Sequence, residues 1–374
     1  MEVPILKIPF DAEDAQVIGQ ELSQMLLSGR LAMGEKCQQF ENVFAKFVGV
    51  KRVVGCQNGT AALEMIARAL KLADGSVVVP ALTFMATALA PIAVGAKVIV
   101  ADVDPHSFQL DPDELRLKTL PNTRAVILVH LGGFISQKLS AIQSWAQSQN
   151  ISLVEDAAHA HGAEIDGHKA GTLGVAAAFS FYPTKVLTTA EGGAVTTNDE
   201  TLFRDLLAIR QHGQAQPGSN IHQTFGLNYR PSEIHALLGL RMMAKADWIL
   251  AQRREAAAIY DRLLANSPLK VVRAGATEKP AYYKYMALLP EKVNRLAIKD
   301  RLKKEFGVSL AGEVYATSLT DQPFFQNHPE VLAAPLTPCP VAEMVAQRQI
   351  CLPIWPGLTV EAQEYVVDCL LKVL

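Results

Sequence analysis

Between residues 76 and 156 the chain alternates short, continuously apolar runs with longer amphipathic ones, and this rhythm restricts the available folds more than any other feature. The apolar runs cover 76–80, 96–103, 124–131 and 151–156. They are rich in Val and Ile and lack polar alternation, as strands buried on both faces do. Between them, residues 83–94, 111–120 and 138–149 carry apolar side chains at helical spacing. Strands alternating with helices at this period predict an open, mostly parallel α/β sheet with helices on both faces. Ligands in such sheets bind beyond the carboxyl ends of the strands.

The pattern extends in both directions. Residues 11–50 read as helices broken at Gly29 and Gly34, followed by a strand at 51–55. Asn58-Gly59-Thr60 then turns into a helix over 61–72. Such a turn is either an ordinary N-cap or, with its free N–H groups and helix dipole, a phosphate site. Downstream, a strand at 175–181 stops at Pro183, Lys185 follows, and Glu191-Gly192-Gly193 opens a strand at 193–197. After a helix at 202–211 and a polar loop at 213–223, Asn228-Tyr229-Arg230-Pro231-Ser232 leads into one long helix predicted over 233–265. A helix of that length often bridges domains. We therefore expect a large domain over 1–247 and a small α+β domain over 248–374, with a strand at 281–289 and helices at 292–306 and 360–374.

Net charge is −2, with no block of like charges, so neither nucleic acid nor a membrane surface is an expected partner. The five cysteines, Cys37, Cys56, Cys339, Cys351 and Cys369, have no metal-ligand or redox-pair spacing, so no metal is expected. The first ten residues carry Glu2 and Lys7 and no long apolar core. No signal peptide is expected there, and a reducing cytoplasm is the economical setting.

Four residues fall at the carboxyl ends of different predicted strands: Gly59, Phe84, Asp156 and Lys185. Alone, each has a bland reading as a turn, a core ring, a capping acid or a surface charge. Together they point to a ligand. A lysine capping a buried strand loses solvation, and desolvation moves it toward the neutral amine that Schiff-base chemistry needs. A pyridoxal phosphate enzyme requires such a lysine for the aldehyde and a carboxylate for the pyridinium nitrogen.

The order of blocks across nearly the whole chain resembles the DegT/DnrJ/StrS-type aminotransferases, a pyridoxal-phosphate family known for aminating keto sugars. The blocks are Gly34, Phe40-Glu41, Asn58-Gly59-Thr60-Ala61-Ala62-Leu63, Pro80, Thr83-Phe84, Val129-His130-Leu131 and Glu155-Asp156-Ala157-Ala158. They continue with Phe179-Ser180-Phe181, Lys185, Glu191-Gly192-Gly193, Asn228-Tyr229-Arg230 and Cys351-Leu352-Pro353. The resemblance implies a fold-type-I, aspartate-aminotransferase-like architecture and a homodimer with shared sites. It also implies transfer from glutamate or glutamine to a keto acceptor by a ping-pong mechanism.

Carried over residue by residue, it makes Lys185 the Schiff-base lysine and proton shuttle, and Asp156 the partner of the pyridine nitrogen. Phe84 would stack on the ring, and His159 would meet the 3-oxygen or the ring face. Gly59, Thr60, Ala61 and Ser180 would bind the phosphate, with Asn228 reaching it from the neighbouring subunit. Arg230 and Tyr315 are candidate substrate contacts. The nucleotide-sugar branch commonly has a His-Tyr-Pro loop where this chain reads Leu310-Ala311-Gly312-Glu313-Val314-Tyr315-Ala316. The acceptor is therefore open between a nucleotide-linked sugar, a free sugar and a cyclitol or other cyclic ketone. A sugar dehydratase of the family would carry histidine in place of Lys185. A desulfurase would need a mobile cysteine, for which only Cys339 is available. A non-catalytic, cofactor-binding regulator would not need the lysine, the acid and the glycine blocks together.

Overall fold

Helix α1 (Ala12–Ser28) ends at Gly29, whose φ of 70° is the left-handed cap that glycine favours, and α2 (Glu35–Val48) starts after Gly34. The computed structural model describes residues 1–374 except Pro217 and Ala311; the part of the segment 310–316 that falls on Ala311 lies outside the described residues. Strand β1 (Arg52–Cys56) turns into α3 (Gly59–Ala69). Then follow β2 (Ser76–Pro80), α4 (Met85–Ala93), β3 (Lys97–Ala101), α5 (Pro112–Lys118), β4 (Thr123–Val129), α6 (Leu139–Ser148) and β5 (Ser152–Asp156). A hairpin, β6 (Glu164–Ile165) with β7 (His168–Lys169), precedes β8 (Ala176–Ser180), β9 (Gly193–Thr197) and α7 (Glu200–Arg210).

Seven of these strands form one sheet in the order β1-β9-β8-β5-β4-β2-β3. The pairs β2–β3, β2–β4, β4–β5 and β5–β8 are parallel, as the helical crossovers require. Strand β9 runs against both β8 and β1, because a loop rather than a crossover helix joins it to β8. The apolar runs are buried on both faces: Val77 and Val79 belong to one core, and Val78 between them to the other. Each valine withdrawn from water in this way contributes roughly 1.5–3 kcal/mol.

The long helix expected over 233–265 is two helices, α8 (Glu233–Ala244) and α9 (Ala246–Leu263). They part at Lys245, at φ −109° and ψ 4°, whose ammonium pairs with Asp11, the N-cap of α1, and with Asp14 in its first turn. The sequence there, Ala-Lys-Ala, contains no helix breaker, so tertiary contacts override propensity.

Beyond α9 come β10 (Lys270–Val271), β11 (Glu278–Lys279), β12 (Tyr285–Leu288), α10 (Arg295–Phe306), α11 (Pro323–Asn327), α12 (Pro340–Arg348), β13 (Gln349–Leu352) and α13 (Val360–Val373). Strands β10, β12 and β13 form a second, antiparallel sheet, while β11 joins the β6–β7 hairpin. The strand expected over 281–289 thus begins only at Tyr285. Its first residues are held instead by the turn that follows β4: the Ala281 N–H donates to Gly133 O (2.8 Å) and the Lys284 N–H to Gly132 O (3.1 Å). A Cβ on Gly133 would sit 2.9 Å from the backbone nitrogen of Tyr283, so only glycine lets the two segments meet. From α9 the buried Arg253 guanidinium donates to Tyr282 O (2.9 Å) and Ile354 O (3.2 Å) and fixes the same segment from behind. Among the described residues no helix is long and apolar enough to cross a membrane.

The pleat of β5 divides two neighbouring acids between two tasks. Glu155 is fully buried. Its Oε1 accepts the N–H groups of Leu173 (2.7 Å) and Gly174 (2.9 Å), and its Oε2 accepts Gly171 N–H (2.7 Å) and meets His130 Nε2 (2.9 Å). Both oxygens therefore face backbone donors, and a glutamine in either orientation would turn its NH2 against one of them. Glu155→Gln is expected to destabilise the protein by about 2–4 kcal/mol, seen as a lower denaturant midpoint at unchanged slope. An unchanged midpoint would show that this carboxylate does not hold the loop into β8.

Candidate active site

Asp156 ends β5 almost fully buried. An acid there is costly unless it is satisfied. Its Oδ2 accepts the Thr87 hydroxyl (2.8 Å), which lies 2.7 Å from the Thr83 hydroxyl, and its Oδ1 is 3.2 Å from the Ala158 N–H. Thr87, on α4, is a positioning residue that sequence reading did not single out. Its neighbour Phe84 N-caps α4 with its ring 60% exposed, unusually so for phenylalanine, and faces the cavity described below.

Lys185 follows β8 on a tightly closed loop. The Phe181 N–H bonds to Gly192 O, the Thr189 N–H to Phe181 O and the Lys185 N–H to Tyr182 O, each at 2.9 Å. Burial pulls the ammonium down to about 8; the carboxylate of Asp156 partly offsets this, and the positive charge of Lys284 adds to it. At pH 7 about one-tenth is then the free amine, far more than an ordinary lysine offers. The Lys185 Nζ lies 4.8 Å from the centroid of the Tyr283 ring, whose hydroxyl is 3.0 Å from that of Thr184.

Lys185 and Asp156 line one cavity of about 520 Å3. At one end is the turn into α3. Asn58 Oδ1 caps the helix by accepting the Ala61 N–H at 2.8 Å. Ala61 therefore departs from expectation: its N–H is already used, and it is not on the cavity wall. Gly59, Thr60 and Ser180 are on the wall, and the Gly59 and Thr60 N–H groups have no partner among the described residues. A Cβ on Gly59 would meet Ser180 Cβ at 2.8 Å, and one on Gly193 would meet Asn58 O at 2.2 Å. This close approach leaves two free donors and a hydroxyl at a helix N-terminus, which suits a phosphate.

His159 is buried, and its ring stacks on Tyr283 at 4.2 Å between centroids. Burial, with the charges of Lys185 and Lys284, holds it well below its ordinary range, so it is neutral. Its Nδ1 accepts the Gly132 N–H at 3.4 Å, which leaves the proton on Nε2, 3.4 Å from the Tyr315 oxygen. The Tyr315 hydroxyl keeps its own proton to donate; burial raises it well above the usual tyrosine range. Tyr315 lies on the wall beside Phe84, with ring centroids 6.3 Å apart.

Asn228 and Arg230 are not brought to the cavity of their own chain. Asn228 is exposed, bridged to Gln211, and its Oδ1 accepts the Arg230 N–H at 3.4 Å. The cavity also holds Tyr283, Lys284 and Glu313, which sequence reading missed. The signal was present: Tyr283 and Lys284 interrupt the apolar run from 281 to 289.

The residues fit pyridoxal phosphate: a lysine for the aldehyde, an acid for the ring nitrogen, an exposed aromatic face, and free donors for the phosphate.

The sequence model of the DegT/DnrJ/EryC1/StrS aminotransferase family matches residues 12–371. The dTDP-3-amino-3,4,6-trideoxy-alpha-D-glucose transaminase of Micromonospora megalomicea subsp. nigra is 32% identical over 375 residues, covering 98% of this chain and 97% of the relative. The L-glutamine:2-deoxy-scyllo-inosose aminotransferase of Streptomyces kanamyceticus is 33% identical over 290 residues, covering 72% of this chain and 67% of the relative. Among solved structures, DesV of S. venezuelae superposes with a TM-score of 0.91 at 30% identity, covering 99% of this chain and 98% of that one. Fold, cavity and sequence agree: the chain belongs to the DegT/DnrJ/EryC1/StrS aminotransferase family and is a pyridoxal-phosphate-dependent aminotransferase.

Proposed function

We propose that the protein moves the amino group of glutamate or glutamine to the carbonyl of a keto sugar. The observation that carries this reading is the meeting of Lys185 and Asp156 in one cavity at the carboxyl edge of the sheet, together with the sugar transaminase among the relatives. Bound pyridoxal phosphate supplies the electron sink for negative charge at the donor carbon. The chain's own residues do the rest. Asp156, held by Thr87 and the Ala158 N–H, keeps the ring nitrogen protonated. The Lys185 amine takes the proton from the donor carbon and returns it one position away, a task its depressed pKa suits. Phe84, Tyr315 and Tyr283 wall the cavity against water. The second half-reaction runs the same steps in reverse on the acceptor, with Lys185 again moving the proton.

A second acceptor class, the cyclic ketone of a cyclitol, is favoured by the Ala158-His159-Ala160-His161 wording and by the scyllo-inosose relative. The reading includes a homodimer in which Asn228 and Arg230 serve the neighbouring cavity. Their position away from their own cavity supports this, as do the exposed Leu26, Leu27 and Leu31, with Ile221, Phe225 and Leu227. It also includes the division into 1–247 and 248–374, which the separate three-stranded sheet of β10, β12 and β13 supports. All five cysteines are buried free thiols, in keeping with a cytoplasmic setting.

Mixing holoenzyme with glutamate or glutamine should bleach the visible absorption of the bound cofactor, and a panel of keto sugars and cyclitol ketones should restore it. Lys185→Ala should slow the bleaching at least ~10^2–10^4-fold. Bleaching that survives the substitution at full rate would remove Lys185 from the chemistry.

The depressed lysine also has a cost in stability. The folded value of about 8 lies below the ordinary lysine value of 10.5, so between these the unfolded chain holds more protons. Stability should rise with pH across this window, the penalty being fully present below it and gone above it. Lys185→Met should therefore stabilise the cofactor-free protein at pH 7 by up to ~3 kcal/mol, and by nothing above pH 10.5. Denaturant midpoints at the two pH values test this; equal midpoints for variant and parent at pH 7 would contradict it.

A further inference from the structure

A cavity that processes an amino acid must neutralise a carboxylate, whatever the acceptor. Lys185 and Lys284 are the two basic side chains of its wall besides the neutral His159. Lys185 is committed to the cofactor and the proton. Lys284 has no assigned task, and its surroundings resemble a receptor more than a structural ion pair.

Lys284 sits where the chain leaves the large sheet for β12, its backbone N–H tied to Gly132 O at 3.1 Å. Its Nζ donates to Gly312 O at 3.1 Å and lies 5.2 Å from the Tyr283 centroid. Among the described residues no carboxylate pairs with it. Glu313, on the same wall, is occupied by Lys299 at 2.7 Å and Arg295 at 3.5 Å. Asp156 is held by Thr87 and Ala158. Burial, the largest of several influences, lowers the Lys284 pKa, and its Nζ has only the Gly312 carbonyl as hydrogen-bond partner. A substrate carboxylate would supply the charged partner it lacks.

The position also separates Lys284 from the other anion in the cavity. The phosphate cradle of Gly59, Thr60 and Ser180 belongs to the large sheet. Lys284 belongs to the segment that crosses over it, with Tyr283 beside it and Glu313, Val314 and Tyr315 from the following loop. A cation on the crossing segment is thus available to the carboxylate of a donor whose amine faces Lys185.

We propose that Lys284 binds the carboxylate of the amino donor. The inference rests on the aminotransferase reading and adds a residue for donor recognition that lies on the same chain as the catalytic lysine. Lys284 acts by binding the substrate and takes no part in the proton transfer.

The test uses holoenzyme and two variants, Lys284→Met and Lys284→Arg, with bleaching of the cofactor band followed against the concentration of L-glutamate and of L-glutamine. Lys284→Met should raise the half-saturating concentration about tenfold or more, while the limiting rate falls by a smaller factor. Lys284→Arg, which keeps the charge, should recover most of the lost affinity. A penalty with both donors assigns the α-carboxylate, and one with glutamate alone assigns the side-chain carboxylate; either supports the proposal. Half-saturation in Lys284→Met within about twofold of the parent for both donors would overturn it. So would a loss that Lys284→Arg does not recover, since a role limited to filling space or tethering Gly312 predicts no charge rescue. If the parent enzyme responds to no amino donor, the aminotransferase reading itself falls, an outcome separate from a normal parent with an unaffected variant.

Discussion

Keeping water away from one amine while leaving it a counter-charge is the constraint on which this site depends. Burial alone would drive the Lys185 pKa further down, and the Asp156 charge in the same cavity limits the drop to about 8. The two must therefore be held at a set separation by something stiffer than their own side chains. Strand β5 holds the acid, with Thr87 from α4 on one oxygen and the Ala158 N–H on the other. The bonded loop between Phe181 and Gly192 holds the lysine. Because β5 and β8 are hydrogen-bonded neighbours, with Asp156 opposite Ala178, sheet register fixes the acid against the strand from which the lysine loop departs.

The second wall is set with similar economy. Gly132 and Gly133, at φ 65° and 93°, leave no room for a side chain where residues 281–284 cross the sheet edge. Arg253 ties the carbonyls of Tyr282 and Ile354 from the far side. Tyr283 is thereby laid on His159, and Lys284 is turned into the cavity. Tyr283, Lys284 and residues 313–315 thus line the cavity opposite the phosphate cradle of Gly59, Thr60 and Ser180.

Much of the fold was legible because parallel strands buried on both faces are apolar through their middles, as Val77–Val79, Val98–Val100 and Ala125–Val129 are, with polar residues confined to the strand ends. Asp156 and Lys185 were legible for the complementary reason: a charge placed at the end of such a run needs a purpose. Phe84 could be placed at a strand end, but its exposure could not be read from sequence. The reversal of β9 depends on the path of the 181–192 loop, and the break at Lys245 depends on Asp11 and Asp14, more than two hundred residues away. Neither leaves a local mark. Ala61 was misjudged because the competition between Asn58 and a ligand for one N–H is decided by side-chain geometry. Tyr283 and Lys284 were hidden inside an apparent strand whose first residues are captured by the glycine turn after β4.

The central claim is that one amine, at position 185, carries the cofactor. Borohydride reduction of the holoenzyme followed by peptide mass mapping tests it most directly. The account predicts a single reduced pyridoxyl adduct on the peptide containing Lys185. An adduct on Lys284, or on any other lysine with position 185 unmodified, would contradict it.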